Sequence, residues 1–122
     1  MIKLFHKEVF WPNLVLGQLA RYQNKTIGFI FTRHSLSECL KDRYSPILPP
    51  PKFVFDLKQV FECELTNSLI SKFAVRLEYD STHDLIMVLI PDGDKAIVKT
   101  CWKNCKTDAH KTLNTSQYCL SI

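Results

Sequence analysis

The sequence predicts an α+β domain, an antiparallel β-sheet of four or so strands with one or two N-terminal helices packed on it. Three observations carry this. Segments 57–65 and 71–79 alternate apolar and polar residues with a period of two. Leu85–Ile90, LIMVLI, is apolar on both faces, as a central strand is. Residues 32–44 repeat apolar side chains at helical spacing, and the helical signals precede the strand-rich half.

Residues 1–31 are the least patterned part. Ile2–Phe5 and Val9–Trp11 read as a hairpin or an extended arm, which Pro12 ends because it cannot donate to a ladder. Asn13 caps a short expected helix through about Tyr22, with Leu14, Leu16, Leu19 and Ala20 apolar. Asn24-Lys25-Thr26 is a turn signal and 27–31 a short strand. In 32–44, Leu36, Cys39, Leu40 and Tyr44 form one apolar face, Thr32 and Ser35 are the two candidate caps, and Ser35 with Glu38 has capping-box spacing. The face predicts Leu36 and Leu40 buried together with Val75, Leu77, Met87 and Leu89. The run Ser45–Pro51 carries three consecutive prolines and reads as an extended linker crossing the surface.

In the second half, Phe61, Cys63 and Leu65 share one face of their strand, and Glu62 and Glu64 the other. Phe73, Val75, Leu77 and Tyr79 oppose Lys72, Arg76 and Glu78 in the next. Turns follow at 66–68 and 80–83, and Pro91-Asp92-Gly93-Asp94 is the clearest hairpin signal. Residues 96–102 are the last long strand expected.

Composition bounds the function. A chain of 122 residues predicts a single domain. Sixteen Lys and Arg against twelve Asp and Glu give +4, compatible with a phosphate-rich partner. No run is apolar enough to span a membrane, and the charged N-terminus lacks a signal-peptide core, so no membrane contact is expected. The five cysteines are an odd number at irregular spacing, which favours reduced thiols in a cytoplasm over a disulfide framework. Cys39, Cys63 and Cys101 read as small core residues.

Chemistry concentrates in Ala96–Tyr118, where a strand breaks into a polar segment holding Asn104, Asp108, His110, Lys111, Thr112 and Tyr118. Of the four histidines, His6 and His83 fall in an arm and a turn and read as solvated. His34 and His110 lie at element edges beside Arg33 and Lys111. Either is readable as a capping or surface residue; as a pair they suit general acid–base work, because imidazole titrates near neutrality. Metal-independent RNA cleavage needs a base for the 2′-hydroxyl, an acid for the leaving oxygen and cations for the phosphorane. His34, His110, Arg76, Lys99, Lys111, Thr112 and Tyr118 include those types. Cys101-x3-Cys105-x4-His110-x8-Cys119 has the wrong intervals for a closed zinc site, so no metal and no cofactor are expected.

The order RHSLSECLKDRY, a proline-bearing linker, VRLEYD, DLIMVLIPDG and VKTCWKNCKTDAHKTLNTSQY resembles a set of small phage and bacterial proteins. That layout is similar to the barnase/EndoU/colicin/RelE-like group of metal-independent ribonucleases, many of them toxins. The resemblance covers about 29–119 and leaves 1–28 as a variable N-terminal arm. It implies an endoribonuclease-like phage protein working in a bacterial cytoplasm, with RNA as partner and a host protein or cognate inhibitor as a second. It implies that His34, Arg76, Lys99, Thr100, His110, Thr112 and Tyr118 line one cleft shaped by Trp102, Asn104 and Asp108. Arg33, Thr100, Asn104 and Lys111 are the further RNA contacts expected. The alternative is a non-enzymatic interaction protein on the same scaffold that inhibits a host factor, with Phe5, Phe10 and Trp11 of the N-terminal arm carrying the contact.

Overall fold

A computed structural model describes residues 3–5, 12–42, 44, 46–107 and 118–121, with 3–5, 12–14 and 118–121 described at the backbone alone. The chain runs β1 (Lys3–Phe5), α1 (Pro12–Ala20), β2 (Thr26–Phe31), α2 (Arg33–Leu40), β3 (Lys52–Val54), β4 (Val60–Thr66), β5 (Leu69–Glu78), β6 (His83–Asp92), β7 (Lys95–Cys105) and β8 (Tyr118–Ser121). These strands form one sheet in the order β3-β2-β7-β6-β5-β4-β1-β8.

The α+β class and the antiparallel meander β4–β7 agree with the sequence reading. The sheet is wider than four strands and it is mixed, because β2 pairs parallel to β7 and β1 parallel to β4. Both parallel pairs bring an N-terminal strand to a partner far along the chain, which no local pattern announces. β3 directly follows the proline run, and β8 falls in a stretch that reads as a polar tail. β6 lies inside the sheet as expected, between β5 and β7.

Local chemistry explains the connections. Asn67 and Ser68 adopt positive φ, 52° and 65°, in the two-residue hairpin between β4 and β5. Gly93, at φ 63°, takes the first central position of the β6–β7 turn, where a side chain would be strained. Pro12 opens α1 rather than only closing the arm before it, since the first helical position needs no N–H. Thr32 caps α2: its side chain accepts from Ser35 N–H at 3.0 Å, and Thr32 N–H donates to Ser35 Oγ at 2.9 Å. The capping box is therefore Thr32–Ser35, one turn ahead of the Ser35–Glu38 pair.

That cap corrects the expected helix face. α2 ends at Leu40, and it buries Ser35 and Cys39. Leu36 is 44% exposed and Leu40 68% exposed, against the prediction that both are buried. Small residues at 35 and 39 let the helix lie close on β7, where the Cys39 and Cys101 thiols touch. The Ser35 hydroxyl can be buried because Thr32 satisfies it. Val75, Leu77, Met87 and Leu89 are buried as expected, as are Cys39, Cys63 and Cys101.

The larger hydrophobic cluster lies on one side of the sheet, and Ala74, Ile86 and Val88 are buried on the other. In that cluster Ile27, Val75, Leu77, Leu85, Met87, Leu89, Ala96, Val98 and Cys101 meet Val15 and Leu19 of α1 and Cys39 of α2. Alternation places Gly28, Ile30, Ala74, Arg76, Ile86, Val88, Ile97, Thr100, Trp102 and Asn104 on the other side. Because Leu40 already faces water, Leu40→Lys should change unfolding free energy by no more than about 0.5 kcal/mol. Urea titration checks this; a loss above about 2 kcal/mol would mean that Leu40 is packed.

Candidate functional site

The sheet side away from the helices is set by register. Glu78, Asp84 and Asn104 share one row across β5, β6 and β7, and Arg76, Ile86 and Trp102 the next. Ala74, Val88 and Thr100 form a third. β7 bulges between Val98 and Thr100, and the extra residue is Lys99, which is exposed. Further along, Lys52, Gly28 and Lys95 align across β3, β2 and β7. Having no side chain, Gly28 leaves Lys95 lying across it: a Cβ there would stand 3.7 Å from Lys95 Cγ. Lys52, Lys95 and Lys99 are all exposed, and Ile97, Thr100 and Trp102 between them are half-buried. Cations interleaved with apolar and aromatic groups on a sheet can take both a phosphate backbone and a base.

At one end of this side the charges are mutually satisfied. Arg76 Nε donates to Asp84 Oδ2 at 2.6 Å, and Arg76 Nη2 donates to the Cys105 carbonyl at 2.8 Å. Lys106 Nζ lies 2.9 Å from Asp84 Oδ1 and 3.7 Å from Glu78 Oε1. Burial raises the Asp84 carboxyl, but hydrogen bonds from Arg76 and Lys106 lower it further, so it lies below its ordinary 3.8. Arg76 is thus braced against the strands, with one side chain tying β5 to β6 and β7.

The fold divides the residues expected to share one cleft. Arg76, Thr100, Trp102 and Asn104 share this side of the sheet, with Lys99 beside Thr100, and Asn104 is buried. His34 and Arg33 sit in the first turn of α2, which packs on the opposite side. His34 is 73% exposed and its Nε2 lies 3.2 Å from Glu38 Oε1. One phosphate cannot reach both His34 and Arg76. His110, Lys111, Thr112 and Asp108 lie outside the described residues, and Tyr118 is described only as backbone of β8. Among the described residues no cluster of three or more His, Cys, Asp or Glu could hold a metal ion.

Comparison with protein-family models, with curated proteins and with solved structures finds no match.

Sequence pattern does not single out Lys52, Lys95, Asp84 or His83. The lysines align only once β2 is paired with β3 and β7. His83, which its turn position marks as solvated, is half-buried under Tyr44, with ring centroids 4.7 Å apart. Its turn is held by Asp80, whose Oδ1 accepts from Thr82 N–H at 2.9 Å and His83 N–H at 2.7 Å. Those donors, Thr82 first, pull the Asp80 carboxyl from 3.8 to about 2.

Stability should therefore depend on pH. Asp80 and Asp84 are both depressed on folding, so their stabilisation is complete above the unfolded value near 3.8 and is lost as pH falls through the folded values. Glu38 opposes them: burial raises its carboxyl, and acid relieves that cost. The urea midpoint should fall as pH drops from 3.8 toward about 2, and the acid limb should flatten in Asp80→Asn. An unchanged limb in that variant would contradict the assignment.

Proposed function

We propose that this chain is an endoribonuclease-like RNA-binding protein, and that it meets RNA on the sheet side facing away from α1 and α2. The observation that carries the reading is the alignment of exposed Lys52, Lys95 and Lys99 around Ile97, Thr100 and Trp102. Cations steer and hold the phosphate backbone. Cleavage would be metal-independent transesterification to a 2′,3′-cyclic phosphate. On the resemblance, His110 and Thr112 follow β7 and supply the chemistry, with Arg76 and Lys99 stabilising the phosphorane; Tyr118, in β8 at the sheet edge five strands from β7, has no part in it. His34 has no part in that constellation, because its helix occupies the other side.

The reading includes the phage-type, toxin-like and bacterial-cytoplasmic setting that the resemblance implies. Among the described residues, no helix is long and apolar enough to cross a membrane. The test is incubation of purified protein with total bacterial RNA in chelator, with binding followed across salt. Cleavage with steep salt dependence supports the reading. Absence of both cleavage and binding removes it.

A second reading has its own observation. Leu36, Leu40 and Leu48 are exposed, Leu48 by 85%, and Ile47 N–H bonds the Cys39 carbonyl, which brings 47–48 back to α2. An apolar ridge of this kind suits an inhibitor or host protein better than RNA. Loss of such a complex in Leu36→Lys/Leu40→Lys, with RNA binding retained, would assign the ridge to protein contact.

A further inference from the structure

Cys105 stands apart from the protein's core thiols. Cys39, Cys63 and Cys101 are buried, and burial raises all three, Cys63 to about 12, so they are poor nucleophiles. Cys105 is half-buried at the end of β7, directly opposite His83 of β6. Residues so paired project to the same side of the sheet with Cβ atoms about 4.5–5.5 Å apart. Tyr44 covers both: its hydroxyl accepts from Cys105 Sγ–H at 3.3 Å, and its ring lies against the His83 ring.

The imidazole is oriented from behind. His83 Nδ1 lies 2.8 Å from Thr82 Oγ1 and 3.3 Å from Asp80 Oδ1. Asp80 remains a carboxylate at neutral pH and can only accept, so Nδ1 carries the proton and the Nε2 lone pair is left to act as a base. The β7 end is fixed by Arg76 on the Cys105 carbonyl and by Lys106 N–H on the Thr82 carbonyl at 3.0 Å. Cys105 and His83 thus stand side by side in one row of the sheet under Tyr44, with Asp80 orienting the imidazole from its turn.

We propose that Cys105 is a reactive thiol that undergoes thiol–disulfide exchange with a small disulfide, using His83 as its base. His83 Nε2 takes the Sγ proton as the sulfur attacks one sulfur of R–S–S–R. A Cys105–S–S–R bond forms and the old S–S bond breaks. The departing R–S⁻ takes the proton from His83 and leaves as R–SH. Cys105 is oxidised and the departing sulfur is reduced, so the small disulfide is the oxidant. As Cys105 loses its proton, the Tyr44 hydroxyl turns from acceptor to donor and stabilises the thiolate. The proposal does not depend on the RNA reading.

The test uses the full chain and glutathione disulfide near neutral pH, with adduct formation at each cysteine followed by peptide mass mapping. Wild type should form a glutathionyl adduct at Cys105. His83→Asn should slow that adduct by about tenfold or more, the lower part of what a positioned base supplies. Tyr44→Phe, which keeps the ring and removes the hydroxyl, should slow it as well. Cys63 reports the fold by staying unmodified, and if His83→Asn exposes it, Tyr44→Phe decides. A wild-type Cys105 that forms no adduct would overturn the proposal. So would one that reacts as fast in the variants, with Cys63 still protected.

Discussion

His110→Ala is expected to lower RNA cleavage in chelator by roughly 10²–10⁴-fold, while His34→Ala cleaves as the wild type does. The two histidines look equivalent in sequence, each at an element edge beside a cation. The fold places His34 alone, since His110 lies outside the described residues. His34 belongs to α2, which covers one side of the sheet through Ser35 and Cys39, and its imidazole faces solvent against Glu38. Arg76, Thr100 and Trp102 face the other way. A phosphate held by the second set is out of reach of His34, so truncating His34 removes nothing the reaction uses. Lys99→Ala should slow cleavage less and reduce the salt dependence of binding, since it removes one phosphate contact from a strand that stays in place. Equal losses in both histidine variants would show that the active surface includes α2 and that the assignment of sides is wrong.

Met87→Ala should cost about 2–5 kcal/mol of unfolding free energy. Met87 is fully buried in β6, flanked in register by Val75 of β5 and Cys101 of β7. Its side chain projects into the cluster that also holds Val15, Leu19 and Cys39 from the two helices. Removing it opens a cavity bounded by elements on every side, and strands paired on both edges have little freedom to close it. Domains of this kind have total stabilities of about 5–15 kcal/mol, so the variant should approach the threshold of folding. Urea unfolding with an unchanged slope is the check. A loss below about 1 kcal/mol would mean the helices do not close over β6.

The contrast between Met87 and Leu36 shows what was legible in the sequence. LIMVLI identifies an interior strand because a short run apolar on both faces must be covered on both faces. The alternation around Val75 and Leu77 then marks which side is core. α2 misled because its largest apolar residues, Leu36 and Leu40, are not the ones it buries. A capped serine and a cysteine make closer contact with β7 than leucines would. The width of the sheet was hidden for a different reason. β1, β3 and β8 are three or four residues long and are held by partners distant in the chain. So short a segment has too few side chains for a period to register.

The candidate site was legible in part. Arg76 and Lys99 were readable as cations on strands, while Thr100 and the cleft roles of Trp102 and Asn104 came from the resemblance; Arg76, Thr100, Trp102 and Asn104 share the sheet side away from the helices, with Lys99 beside Thr100. Lys52 and Lys95 become neighbours only through the parallel pairing of β2 with β7 and the antiparallel pairing of β2 with β3. His83 and Cys105 become neighbours only through the β6–β7 register, 22 residues apart in sequence.

The central claim is that RNA meets the sheet side opposite the helices. Titration of isotope-labelled protein with a short single-stranded RNA, followed by amide and indole NMR shifts, tests it directly. The account predicts shifts at Lys95, Ile97, Lys99 and Thr100 and at the Trp102 indole, with α2 unchanged. Shifts confined to Arg33–Leu40, with β7 silent, would contradict it.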